Sequence, residues 1–161
     1  MRERTGGLRV RGMLPLEFGF LQIYQSDYPE LQRLALFVLS HTLVDQLLSV
    51  LLTNDQLFDR AGTRSLPELR SIARTIRKRK FGPRLKSARA LLSTPVYRAT
   101  KDLNDARNSL LHAGKVPLYR GQKVTSLSGL RKCYGVTLAM MEAVVTVAAR
   151  RQAAWRRTRR A

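Results

Sequence analysis

The sequence predicts an all-α protein, a bundle of four or five helices. Three observations carry this. Apolar residues recur at steps of three and four along much of the chain. Capping residues stand before those runs and glycine after several of them, while alternating strand-like runs are few. The length, 161 residues, fits one domain, and no internal repeat is visible.

Each element has its own signal. Asp27-Tyr28-Pro29-Glu30 reads as an N-cap with a glutamate three residues on, and the apolar run Leu31 to Leu52 follows it. That run is apolar on nearly all sides, which predicts a central, buried helix over 29–53. Asn54 caps a short helix expected to stop near Ala61-Gly62. Ser65-Leu66-Pro67-Glu68 is a capping box opening a basic helix near 66–80, expected to end by Phe81-Gly82-Pro83. A short helix is expected from Leu85 to Leu92. Ser93-Thr94-Pro95 then starts a helix over 95–113, with Ala99, Leu103, Ala106 and Leu110 on one face and Gly114 as its left-handed end. A loop with Pro117 and Gly121 follows. The last helix, 126–152, puts Leu127, Leu130, Tyr134, Leu138, Met141, Val145 and Ala148 on one stripe. The expected layout is a basic N-terminal extension over 1–25, a helical domain over 26–152 and an Arg-rich tail over 153–161.

The charge is unusual. Lys plus Arg is 30, Asp plus Glu is 11, and the net is +19. It is also segregated. Residues 17–68 are net acidic, residues 69–101 hold eleven bases and no acid, and residues 102–161 hold twelve bases against three acids. Eleven bases with no acid leave no pairing within the block. The expected partner is a polyanion, RNA first, held through its phosphates without reading sequence. The residues expected to hold it are Arg70, Arg74, Arg77, Lys78, Arg79, Lys80, Arg84, Lys86 and Arg89, with Arg150, Arg151, Arg156 and Arg157 of the tail.

Composition also excludes classes. One cysteine, Cys133, rules out a disulfide framework within the chain and a Cys-rich zinc site. Two histidines leave little for a His-based metal site, so no metal and no cofactor are expected. No window is read as a full membrane span; the nearest, Tyr134 to Ala149, contains Glu142 and two threonines. The start carries no apolar signal region, so the expected place is the cytoplasm, away from membrane.

Chemistry concentrates at the end of the 95–113 helix, in Lys101-Asp102-Leu103-Asn104-Asp105-Ala106-Arg107-Asn108-Ser109-Leu110-Leu111-His112-Ala113-Gly114. Steps of four set Asn104, Asn108 and His112 in one row. Arg107 precedes His112 by five residues, about 140° around the helix, and a long arginine can swing toward the site that the histidine faces. Arginine is a permanently charged phosphate donor, and histidine moves protons near neutral pH. Asn108 can hold either of them. These are the parts for cleaving RNA without metal. A base takes the proton of a ribose 2′-hydroxyl, the oxygen attacks the adjacent phosphorus, and a cation stabilises the phosphoryl charge.

Arg107-Asn108-Ser109-Leu110-Leu111-His112, ending a bundle helix, resembles the signature of the HEPN family: arginine, four to six residues, then histidine, often with a polar residue straight after the arginine. The specific match is six residues; the bundle order extends over about 26–152. The resemblance implies an all-α bundle and a metal-independent endoribonuclease. It also implies a homodimer in which two motifs meet, in a toxin–antitoxin, defence or RNA-processing setting. An acidic antitoxin or a ribonucleoprotein is then a further expected partner. Some members carry a tyrosine two positions after the histidine, which a partner nucleotidyltransferase modifies; here that position is Gly114, so this control is not implied.

Two further groups need an account. His41 and Asp45 lie four apart on the central helix. They either satisfy each other in the core, or Asp45 reaches Arg107 or His112 and orients it. Cys133 reads as a small core residue, and Trp155 among its arginines as a weak candidate for stacking on bases. The alternative to a ribonuclease is a non-catalytic basic helical protein that binds nucleic acid or acts as an adapter.

Overall fold

The computed structural model describes residues 29–58 and 62–159. Five helices and one small hairpin make up the described chain: α1 (Pro29–Asp55), α2 (Leu66–Lys78), α3 (Phe81–Ser87), α4 (Thr94–Ala113), β1 (Leu118–Tyr119), β2 (Gln122–Lys123) and α5 (Leu127–Thr158). The protein is an all-α bundle, as its periodicity predicts. The expected cap at Asp27 and the 1–25 extension lie outside the described residues.

α1 is the central helix and touches all four others. Phe37, His41, Val44, Leu48, Leu51 and Leu52 are its buried stripe, at helical steps of three and four. Its buried hydroxyls are satisfied internally: Ser40 and Ser49 donate to the carbonyls of Leu36 and Asp45. The helix is not buried all round, since Leu31, Val38 and Val50 face outward. Asn54, expected to cap a short helix, lies within α1, and the stop expected near Ala61-Gly62 falls at residues outside the described ones. α1 runs through to Asp55, and Phe58 pairs with Thr63 in an isolated bridge.

α2 begins at the expected capping box: the Ser65 amide donates to Glu68 Oε2 at 2.7 Å, and the Glu68 amide to Ser65 Oγ at 3.5 Å. α2 ends at Lys78, before Phe81-Gly82-Pro83, as expected; those residues then open α3, so the short helix expected over Leu85 to Leu92 lies earlier, at Phe81–Ser87. Proline lacks an N–H, but amides of a helix's first turn have no intrahelical acceptor, so Pro83 costs no bond there. Leu85, Ala88 and Leu92 then turn into the core.

α4 follows its sequence signals closely. Pro95 lies in the first turn, Ala99, Leu103 and Ala106 are buried, and Gly114 ends the helix at φ +61° with its amide donating to Leu110. The segment expected as a loop forms a hairpin pairing Leu118 with Lys123 and Tyr119 with Gln122. Arg120 and Gly121 both have positive φ, the requirement of a two-residue turn matched to strand twist. The hairpin plugs the bundle: the Tyr119 ring is buried and its hydroxyl donates to the Ala99 carbonyl at 3.2 Å.

α5 is capped by Ser126, whose Oγ accepts from the Gly129 amide at 3.0 Å. Gly129 is required by the hairpin, because a Cβ there would sit 2.2 Å from the Lys123 carbonyl oxygen. The core face of α5 is Cys133, Val136, Thr137, Met140 and Val147, not the expected stripe. Leu127, Tyr134, Leu138, Met141 and Val145 of that stripe are exposed. α5 is apolar on two faces, and periodicity alone does not choose between them. The helix also runs past 152, through Ala153 and Ala154 to Thr158, so most of the expected tail is helical. Those residues include no glycine or proline to stop it.

α1 and α5 run parallel, tied at one end by Arg33 to the Thr125 carbonyl and at the other by Asn54 to the Val144 carbonyl. Both are long and apolar enough, by length and composition, to cross a membrane, which the sequence reading did not anticipate. Here they pack against each other as the two main core helices, with less than half of each apolar stretch buried.

Candidate functional site

The α4 residues are placed by two facts of local structure: the inward Leu103–Ala106 face fixes the helix rotation, and Gly114 fixes its end. Asn104 then meets α1. Its Oδ1 lies 3.2 Å from His41 Nε2, and since the amide oxygen only accepts, the ring nitrogen donates. The His41 ring also stacks on Phe81, centroids 5.1 Å apart. Burial holds its pKa below the ordinary histidine value of 6.5, and the nearby Arg107 charge pushes the same way against the Asn104 bond and Asp45. His41 is therefore a neutral, buried ring next to Arg107.

Arg107 and Asn108 are half-buried, and Arg107 Nη1 donates to Asn108 Oδ1 at 3.3 Å. Asn108 thus touches the arginine. His112 is exposed in the last turn of α4. On an α-helix it lies about 7.5 Å along the axis from Arg107, and about 12 Å from Asn104. The segment that follows, with its hairpin, presents Lys115, Arg120 and Lys123 to solvent. These three cations were not singled out from the sequence; their position in the segment straight after the motif was the signal.

Asp45 is not where either sequence reading put it. It pairs with neither His41 nor the α4 motif; its carboxylate accepts from Arg84 Nη2. Arg84 in turn is buried, and its Nη1 donates to the Asp45 carbonyl at 3.2 Å and to Ser49 Oγ at 2.5 Å. Arg84 is therefore a core cation and not a phosphate contact, which corrects its place among the RNA-binding residues. The reason is its phase on α3: it stands beside Leu85 on the inward face with Ala88 one turn on.

The remaining expected contacts form two exposed groups. On α2, Arg70, Arg74, Arg77 and Lys78 line one outward groove of about 450 Å³, opposite the inward Ile72 and Ile76. Arg79, Lys80, Lys86 and Arg89 are exposed beyond it, the last with its guanidinium 5.6 Å from the Tyr97 ring centre. On α5, Arg156 and Arg157 line a second outward groove of about 410 Å³, and Arg150 is exposed one side of it. Arg151 is engaged elsewhere, its Nε donating to Asp55 at 2.8 Å. Trp155 is not open for base stacking. It stacks on Phe58 at 5.2 Å and lies under Arg159 at 4.6 Å. Cys133 is a core residue whose thiol is pushed up to about 12 by burial, so it is not a nucleophile at neutral pH.

Among the described residues, no group of three or more His, Cys, Asp or Glu side chains comes together. Comparison with protein-family models, curated proteins and solved structures gives no match.

Proposed function

We propose that this protein is a HEPN-like, RNA-binding endoribonuclease that cleaves by attack of the ribose 2′-hydroxyl. The observation that carries this reading is the end of α4: an arginine braced by its neighbour Asn108, and an exposed histidine one turn further on. His112 serves as general base or acid for the 2′-hydroxyl or the leaving oxygen. Arg107 donates to the phosphoryl oxygens as charge builds on them. Asn108 positions Arg107. His41 and Asn104 hold the α1 side of the site: a neutral ring there adds no charge to compete with Arg107 for phosphate. RNA is held by the α2 cations and by Lys115, Arg120 and Lys123 after α4, in a salt-sensitive, sequence-independent way. Cleavage without metal is part of the proposal.

A second reading, a basic binding protein without cleavage, is favoured by one observation. Arg107 and His112 diverge by about 140° around α4, so they meet one phosphate only if the arginine swings round. Incubating purified protein and His112→Ala with total RNA and EDTA, then mapping new ends, separates the two. The ribonuclease leaves 2′,3′-cyclic phosphates and 5′-hydroxyls, spares DNA, and loses this with His112→Ala. Binding with no new ends supports the second reading.

A further inference from the structure

A cleft of about 390 Å³ opens between the ends of α1 and α3 and one flank of α2. That is large enough for a small planar ligand. Its floor is aliphatic, since Leu52 and Ile76 are buried there. Its rim is polar, with Asp55 and Gln56 at the end of α1 and Ser71, Thr75 and Arg79 on the side of α2.

This lining is not that of a phosphate site. Asp55 is the one acid among the described residues that line the cleft, and a carboxylate repels phosphate. The carboxylate is also held in place: Arg151 Nε donates to Oδ1 at 2.8 Å and Gln56 Nε2 to Oδ2 at 3.3 Å. A carboxylate oxygen accepts twice, so Oδ2 keeps an acceptor site, and Gln56 Oε1 stands beside it as another. Arg79 supplies the opposite chemistry from the α2 wall. It is exposed, in a block of the chain that holds no acid.

We infer that this cleft takes one guanine base of a bound RNA, which rests on the proposed RNA reading for the strand but not for the base. Guanine presents two adjacent donors, N1–H and N2–H, and two adjacent acceptors, O6 and N7. The donors suit Asp55 Oδ2 and Gln56 Oε1. O6 and N7 suit the guanidinium fork of Arg79, a common specific arginine–base contact. The other bases fit worse: adenine sets its N1 lone pair against the carboxylate, cytosine its N3 and uracil a carbonyl. The ring lies on Leu52 and Ile76, as unstacked bases of single strands lie on apolar side chains.

The cation row outside agrees with this path. Arg74 follows Ser71, and Lys78 follows Thr75, by three residues, which is about 60° round α2 and about 4.5 Å along it. The outward row therefore borders the cleft, with the two hydroxyls between. Phosphates on the row position the strand without reading it, and the base turned into the cleft is read. Asp55 lies about 21 Å along α1 from His41, so this guanine is an anchor away from the bond that the α4 motif acts on.

Titration of the full chain with the 5′-monophosphates of guanosine, adenosine, cytidine and uridine, at one salt concentration and in EDTA, tests this. Phosphate and ribose are common to all four, so differences come from the base. Guanosine monophosphate is expected to bind about tenfold or more tighter than each of the others. Arg79→Gln should remove most of that preference. So should Asp55→Asn, whose amide oxygen can keep Arg151 while its N–H₂ meets the guanine donors. Arg77→Gln, the same charge change on the outward face of α2, should weaken all four alike. Arg79 and Arg77 are exposed, so those two variants decide the matter if Asp55→Asn fails to fold. Four equal affinities, no binding up to about 5 mM, or a guanosine preference untouched by Arg79→Gln overturns the inference. Base preference without RNA cleavage supports the cleft and counts against the ribonuclease alone. RNA cleavage with no base preference in the titration overturns the cleft alone.

Discussion

Asp45→Ala is expected to be among the most damaging single changes to stability in this protein, although Asp45 lies outside the proposed chemistry. Arg84 has a side chain only 7% exposed, and the Asp45 carboxylate is its one charged partner. Removing the carboxylate leaves a buried guanidinium with two neutral acceptors, the Asp45 carbonyl and Ser49 Oγ, while Nε already has none. Breaking a buried pair costs about 3–5 kcal/mol. Asp45 is itself 33% exposed, so water reaches the vacated space and the lower end, about 3 kcal/mol, is expected. For a domain of this size that is roughly 10 °C in Tm. Urea denaturation should show the loss as a lower midpoint at unchanged slope. Asp45→Leu combined with Arg84→Met should recover most of it, since no charge is then stranded. A loss below about 0.5 kcal/mol for Asp45→Ala would refute the buried-pair argument. RNA provides a second check: Arg84→Met should leave the salt dependence of binding unchanged, and a reduced slope would mean that Arg84 reaches phosphate.

Two further outcomes follow from the same geometry. Neutralising Arg70, Arg74, Arg77 and Lys78 should weaken all single-stranded RNAs about equally and lower the salt slope by up to about three units, from about 0.7 per phosphate contact; unchanged binding would move the footprint off α2. The second concerns pH. His41 binds its proton less readily folded than unfolded, so its effect on stability is nil above pH 6.5, and stability falls as pH drops below 6.5 toward the folded-state value. His41→Gln, whose amide can still donate to Asn104, should flatten this part of the stability–pH profile in urea titrations, and an unaltered profile would show that His41 is not the group responsible.

The fold was legible where a local signal and a single apolar face agreed. α4 is the clearest case: Pro95, the Ala99–Leu103–Ala106 face and Gly114 each fixed one boundary or one rotation, and all were visible in sequence. α5 was legible as a helix but not in its orientation, because apolar residues occupy both Cys133–Met140 and Tyr134–Met141 faces. Phe81-Gly82-Pro83 was legible as the end of α2 but not as the start of α3, because proline ends one helix and begins another with the same local chemistry. The site divides the same way. Arg107, Asn108 and Asn104 share a helix, so their spacing carried their placement. His41 and Asp45 share a helix as well, but their partners come from α4 and α3, at sequence separations of 63 and 39 residues that no local pattern encodes. The inward phase of Arg84, beside Leu85 and one turn before Ala88, was the one available hint that a basic residue belonged to the core.

The central claim is that Arg107 and His112 cleave RNA while the charge that holds it lies elsewhere. The most direct measurement is single-turnover cleavage of a defined RNA in EDTA by the parent protein, Arg107→Ala and His112→Ala, with affinity for the same RNA measured in parallel. The account predicts a rate loss of about 10²-fold or more for each variant, with binding kept to within a few-fold, since one cation of many is removed. Cleavage that persists undiminished in both variants would contradict it and leave the binding-protein reading in its place.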